Sequence, residues 1–244
     1  MHALYSFHFL VTVSAQLHDQ LNAMDETPLT ENALETLAQF QRANNAVQGV
    51  YVLHHNGLPV YVGKASNIRV RLQKHLKKIS GRRNISLADI AYKALLLDKS
   101  MSTAANENVL LGLFQQSYAG MWNNGGFGPN DPGKQRDATK PGVFDRTYPI
   151  RKDFRIELTS PHTTVGSLFI MMKEQLPYVF RYQQLTDTEA TTPIALTSVS
   201  IAADELFRTA VTALGTGWKG AIVSYGMVLY KNDKAYPFGE EITP

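Results

Sequence analysis

Five side chains in this sequence are suited to chemistry: Tyr51 and Tyr61, Arg71 and His75 four residues apart, and the more distant Glu107. Hydrolysis of a phosphodiester asks for such a set. A base must take a proton from water, a permanent cation must meet the charge of the pentacovalent phosphate, and a carboxylate can hold a divalent metal against the leaving oxygen. A phenol by itself is a poor base, because it titrates near pH 10 and only about 0.1% of it is ionised at pH 7. A tyrosine in that role would need cations around it that favour the phenolate (for Tyr51, Lys64, His75, Arg71 and a bound metal) or a neighbour such as His75 to take its proton.

The elements that must position these groups are legible nearby. Val50, Val52 and Leu53 form an apolar run, Asn56, Gly57 and Pro59 supply turn chemistry, and Val60 to Val62 resume the run, which predicts a β-hairpin. Beyond Gly63, Ile68, Leu72, His75, Leu76 and Ile79 recur at helical spacing, with Ser66 or Asn67 as cap and Gly81 as stop. Residues four apart on a helix lie one above the other, so Arg71 and His75 project together toward the hairpin. Glu107 opens an apolar, helix-like run over 108–116, and 91–97 reads equally as strand or helix. Each residue alone has a plainer reading. A strand tyrosine is usually core, an arginine a solvated helix residue, a histidine a satisfied partly buried group, and a carboxylate at a helix start a partner of the macrodipole. Order and spacing taken together outweigh these.

Charge points the same way. No acidic residue falls between Glu35 and Asp89, while that stretch carries Arg71 and Lys77 and the expected DNA contacts Lys64, Arg69, Lys74, Lys78, Arg82 and Arg83. The formal net charge of +3 over 244 residues understates this concentration. A basic helix and loop suit a polyanion, since phosphate neutralisation with counterion release supplies much of the affinity for DNA.

Gly49-Val50-Tyr51 and Tyr61-Val62-Gly63, with Arg71, His75 and Glu107, resemble the GIY-YIG nuclease superfamily. The later run from Trp122 through Asn123, Asn124, Gly125, Gly126, Phe127 and Gly128, continuing from Asn130 through Asp131, Pro132, Gly133, Lys134 and Gln135 to Arg136, is similar to the branch of type II restriction endonucleases that cut GC-rich palindromes. The core resemblance covers roughly residues 46 to 140. It implies an α+β fold, with a small central antiparallel sheet flanked by helices, a third central strand at 91–97, and α/β additions at both ends. The implied organisation is an N-terminal extension over 1–45, a catalytic core with a DNA-contacting loop over 46–160, and a C-terminal α+β part over 161–244 packed on the core.

The resemblance also implies roles. Tyr51 would be the general base or its hydrogen-bonded partner, and Tyr61 would orient the attacking water. Arg71 would stabilise the transition state, and His75 would relay protons or bind phosphate. Glu107 would hold one Mg²⁺ per active site, with Mn²⁺ able to substitute. Asn123, or the adjacent Asn124, would support the phosphate or the metal's outer ligands. Lys134 and Arg136 would join the DNA contacts, and arginines from this region onward could pair with guanine O6 and N7. The activity implied is Mg²⁺-dependent, sequence-specific cleavage of double-stranded DNA in the bacterial cytoplasm. A homodimer would match the palindrome's two-fold axis, and a separate companion methyltransferase would protect the host. The alternatives are a GIY-YIG nuclease of repair, homing or toxin type, or a non-catalytic DNA-binding module.

The remainder of the chain is read from pattern. With no cysteine, neither a disulfide framework nor a zinc finger is possible. Phe7, Phe9, Val11 and Val13 alternate with their neighbours and predict a strand, followed by helices over 17–24 and 30–42, the latter capped by Thr30. The apolar N-terminus lacks the leading Lys or Arg of a signal peptide, and no apolar run is long enough to span a bilayer. Residues 123–146, rich in Gly, Pro, Asn and Asp, predict a functional loop that Trp122 and Phe127 anchor to the core. Beyond it the pattern predicts a strand over 155–158, a helix over 165–176 stopped by Pro177, a helix over 202–214 stopped by Gly215, and a closing strand over 222–230.

Overall fold

The computed structural model describes residues 8–98, 101, 105–118, 120–123, 125–128 and 130–244. Contacts divide the chain into two compact units, Met1–Leu76 with Ser86–Pro129, and Lys77–Ile85 with Asn130–Pro244. The architecture is mixed α+β, as expected.

In the first unit, helix α1 (Phe9–Ala23), the short strand β1 (Thr27–Pro28) and helix α2 (Glu31–Ala43) precede the hairpin of β2 (Gly49–His55) and β3 (Leu58–Ala65). Helix α3 (Ile68–Ser80), strand β4 (Ile90–Leu96) and helix α4 (Glu107–Ser117) follow, with the last turn of α3 counted in the second unit. The sheet runs in the order β1-β4-β2-β3, every pair antiparallel. The segment whose pattern allowed strand or helix is thus a strand, flanking β2 on the side away from β3. At the hairpin tip Asn56 and Gly57 have φ of 51° and 76°, the positive values a tight two-residue turn needs.

The two faces of this sheet do different work. Val50, Val52 and Val62 point to one side and pack with Val13, Leu17 and Leu21 of α1 and Leu110, Leu111 and Phe114 of α4. Tyr51, Leu53, Tyr61 and Gly63 alternate with them and so point to the other. The strand expected from Phe9, Val11 and Val13 is instead the start of α1, with Phe7 outside the described residues. Phe9 and Val11 are each 50% exposed, whereas Val13, Leu17 and Leu21 are buried at helical spacing. Burial along that longer stripe outweighs a seven-residue alternation.

The second unit holds a four-stranded sheet, order β12-β10-β11-β7, from β7 (Val179–Tyr182), β10 (Lys219–Val223), β11 (Gly226–Tyr230) and β12 (Glu240–Ile242). Its core joins Phe180, Ile222, Met227 and Leu229 of this sheet to helix α6 (Val165–Gln175), through Leu168, Phe169 and Met172, and to α8 (Ala203–Leu214), through Leu206, Phe207, Ala210 and Val211. Two-stranded ribbons, β5 (Arg155–Glu157) with β9 (Ser200–Ala202) and β6 (His162–Thr164) with β8 (Pro193–Ala195), and the short helices α5 (Val143–Thr147) and α7 (Asp187–Ala190) complete it. The expected closing strand over 222–230 is a correction. Pairing of Val223 with Gly226 folds it into the β10–β11 hairpin around Ser224 and Tyr225, a turn without the usual Asn-Gly or Asp-Gly signal.

Gly49, at the start of β2, lies so close to β4 that a Cβ there would sit 1.9 Å from the Leu95 carbonyl oxygen. A backbone carbonyl held in a ladder cannot rotate away as a side chain can. Gly49→Ala is expected to destabilise the first unit by about 1–3 kcal/mol, the range for overpacking a tight site. Chemical denaturation checks this, and an unchanged midpoint would mean that the β2–β4 spacing is slack.

Candidate active site

The hairpin register sets Tyr51 opposite Gly63 and Leu53 opposite Tyr61, so Tyr51 and Tyr61 are diagonal neighbours on one face, with ring centroids 6.1 Å apart. Gly63 makes this possible. A Cβ on it would fall 2.4 Å from both the Cζ and the hydroxyl oxygen of Tyr51, so any larger residue would push the phenol off the sheet. His75 of α3 meets this face, on a helix whose Ile68 and Leu72 are buried with it. His75 is fully buried, and its Nε2 shares a 2.7 Å hydrogen bond with the Tyr51 hydroxyl. With the ring proton on Nδ1, the phenol donates and Nε2 accepts.

Arg71 lies one turn before His75, and Glu107 is the first residue of α4, behind the cap in which Asn106 Oδ1 accepts from the Val109 amide. The charges of both reach the two phenols: Glu107 raises the pKa of each and Arg71 lowers it. The five side chains singled out by spacing thus act on one another within the first unit.

The chain's own charges act on the Tyr51 hydroxyl in opposed directions. Burial, reinforced by Tyr61 and Glu107 and only partly opposed by Arg71, holds its hydroxyl well above the ordinary phenol value. The Tyr61 hydroxyl is raised for the same leading reason, burial. Among the chain's own groups, the opposing charge of Arg71 does not offset the burial of Tyr51. Lys64 does not take part in that opposition. Its residue alternates to the opposite face from Gly63, and its ammonium donates to the Ala105 carbonyl at 3.0 Å, two residues before Glu107, where it steadies the approach to α4.

Asn123 has a structural task as well. Its Oδ1 accepts from the Val62 amide at 3.0 Å and its Nδ2 donates to the Val62 carbonyl at 2.8 Å, so the carboxamide caps the free edge of β3 as another strand would. The Trp122 amide adds a bond to the Val60 carbonyl. Both ends of the Asn123 side chain thereby fasten the loop to β3, with one N–H and one oxygen lone pair left over. Asn124 is outside the described residues.

The fastened loop delivers Phe127, which sequence reasoning placed only as a core anchor. Its ring is buried and stacks on His75 at 4.9 Å and 17°, edge-on to Tyr61 at 5.1 Å and to Trp122 at 5.0 Å. A flat neighbour on one face restricts the imidazole to the plane in which Nε2 meets Tyr51. Two glycines before Phe127 and one after it were the only hint that an aromatic had to approach closely here.

The expected DNA contacts sort into several kinds. Lys74 is exposed on α3, while Arg69 is half-buried on it. Arg82 is a correction: only 3% exposed, it pairs with Asp145 at 2.9 Å and donates to the carbonyls of Tyr148 and Ser224, so its charge is consumed inside the second unit. Lys78 lies over the Phe144 ring, and burial, with the nearby Arg82 charge, lowers its pKa to about 8 against the pull of Asp145. Arg83 holds Asp153 at 3.0 Å on the surface. Lys134 lies over the Tyr230 ring, and Arg136 is exposed. Among the described residues no three acidic, histidine or cysteine side chains gather as a metal site. Among the described residues Glu107 is the carboxylate that acts on both phenols, a donor that would suit Mg²⁺, which keeps several waters and takes few protein ligands beside substrate phosphates.

Residues 61–174 match the family model of the Eco29kI GIY-YIG domain, a type II restriction endonuclease family. The match begins at Tyr61 and includes Arg71, His75, Glu107 and Asn123, but not Tyr51. No curated protein matches the chain. No helix among the described residues is long and apolar enough to cross a membrane.

If Asn123 is a fastener, Asn123→Asp, which keeps the size but turns a donor into an acceptor against the Val62 carbonyl, is expected to destabilise by about 1–3 kcal/mol, the cost of a buried polar group left unpaired. Amide exchange at Val62 should accelerate alongside. Unchanged protection at Val62 would return Asn123 to the reacting groups.

Proposed function

We propose, from the premise that residues 61–174 carry a GIY-YIG domain of the Eco29kI type, that the protein is a Mg²⁺-dependent endonuclease cutting double-stranded DNA at specific sequences. The domain makes it a nuclease and DNA its partner. The observation that carries the proposal is the 2.7 Å bond between the Tyr51 hydroxyl and His75 Nε2, inside the field of Arg71 and Glu107. It joins a proton acceptor at the sheet surface to a second acceptor behind it.

In this reading water attacks phosphorus as the scissile P–O bond breaks. The Tyr51 oxygen takes the water's proton while its own passes to Nε2 of His75, so the phenolate that burial disfavours never accumulates. The Arg71 guanidinium meets the growing negative charge on the non-bridging oxygens. Tyr61, beside Tyr51, orients the water. Glu107 would hold the Mg²⁺, which when bound stabilises charge on the phosphate and the leaving oxygen. Because one such centre cuts one strand, cleavage of both strands of a palindrome calls for a homodimer. A restriction role calls for a separate methyltransferase in the same cell.

Digestion of a plasmid or genome with Mg²⁺, followed by end sequencing, tests the reading. Discrete fragments with a common terminal sequence are expected. Nicks or smears would indicate a repair, homing or toxin nuclease, and an absence of metal-dependent cleavage would leave only a binding module.

Two substitutions test the roles. Glu107→Ala is expected to reduce cleavage by at least about 10³, several kcal/mol of transition-state stabilisation, while DNA binding persists. Turnover within tenfold of the parent would remove Glu107 from the metal. Tyr51→Phe keeps the ring over Gly63 and should preserve binding, with cleavage falling by at least about 10², the lower range for a general base. Because Tyr51 starts as a neutral phenol, loss of its ionisation is not expected to move the alkaline limb of the wild-type pH profile below pH 10. Near-parental cleavage by the Phe variant would reduce Tyr51 to packing.

A further inference from the structure

One guanidinium in the second unit grips both ends of a short exposed arch. Arg181, on β7, donates through Nε and Nη2 to the two oxygens of Asp131 and through Nη1 to both oxygens of Asp137, at 2.8 and 3.1 Å. Asp137 is 2% exposed and also accepts from the Tyr225 hydroxyl, and the Tyr230 hydroxyl lies 3.2 Å from Nη1 of Arg181. At the arch's entry Asp131 Oδ1 accepts from the Gly133 amide at 2.8 Å, turning the chain into a single 3₁₀ turn, Lys134–Ala138.

Between the gripped aspartates the exposed polar residues are Lys134, Gln135 and Arg136. Lys134 is engaged, its ammonium 4.2 Å from the centre of the Tyr230 ring. The side chains of Gln135 and Arg136 make no hydrogen bond among the described residues. Burying a carboxylate and committing all three guanidinium nitrogens of an arginine is a costly way to hold an idle loop, since such pairs add little net stability over apolar packing. It is an effective way to fix geometry, because a bidentate planar fork sets orientation as well as distance.

We infer that this clamped arch is a base-reading element, in which Arg136 recognises a guanine through O6 and N7 in the major groove and Arg181 is the residue that positions it. The inference rests on the proposed endonuclease function. Arg136 supplies what such reading needs, a charged planar fork, and the clamp removes the freedom that would otherwise blur the choice of base. An arginine that only met phosphate would need neither.

The test is selection of bound duplexes from a randomised DNA library by the full-length protein, with cleavage of the same library by variants that remain active. Wild type is expected to require guanine at one position of each half-site. Arg136→Lys keeps the charge but loses the fork, and should relax that requirement alone by about 10- to 100-fold, the range for one bidentate base contact. The slope of binding against salt should stay unchanged. Arg181→Lys, which keeps a charge beside Asp137 should Arg181→Ala fail to fold, is expected to relax the same position. A role in stability alone would lower the melting temperature and leave base preference intact. A wild-type preference reproduced by Arg136→Lys overturns the inference while leaving the endonuclease reading standing. A wild type that binds and cuts without base preference overturns both.

Discussion

The contact between the Tyr51 phenol and the His75 imidazole is the constraint around which the first unit is arranged. Both groups are fully buried, and either one left unpaired would cost about 1–3 kcal/mol of desolvation. Meeting requires the phenol to lie across β3, which requires Gly63 opposite it, a pairing reached only because the register set at the Asn56–Gly57 turn shifts by one residue between His54 and Leu53. It also requires the imidazole to face the sheet from an apolar stripe of α3, where Phe127 fixes its plane. The same burial that makes the contact obligatory raises the Tyr51 pKa, so the arrangement suits a proton passed along a chain rather than one removed in advance.

Positive charge along the sequence turns out to have several physical fates. Arg82 is spent on a buried ion pair, Lys78 is desolvated, and Lys64 anchors the segment leading into Glu107. Lys74 and Arg136 remain exposed to solvent. A run without acidic residues therefore marks a polyanion surface only in its exposed members, because a cation that reaches a carboxylate or a carbonyl inside the fold no longer attracts phosphate. The partners, the Asp145 carboxylate for Arg82 and the Ala105 carbonyl for Lys64, lie 63 and 41 residues away in sequence.

The aspartates near Lys134 and Arg136 illustrate the converse. Asp131 and Asp137 would, in sequence, dilute a basic loop. In the fold both are held by Arg181 from a different element, with Asp137 buried, while Lys134 and Arg136 stay exposed.

By itself the sequence determined what depends on short range: the hairpin from its turn residues, α3 from its apolar period, the cap at Thr30, and the side-chain types that phosphodiester chemistry requires. Alternation and helical spacing repeat within a few residues, so local pattern is enough to reveal them. Only the tertiary structure decided that Phe9–Ala23 is a helix, since that choice rests on which side chains α4 covers, and that 222–230 is a hairpin, since its turn has no characteristic residues. Asn123 as a strand mimic on Val62, Phe127 on His75 and Arg181 across Asp131 and Asp137 were hidden for the same reason. Hydrogen bonding and burial in these cases join residues tens of positions apart, and the partners become neighbours only when the chain has folded.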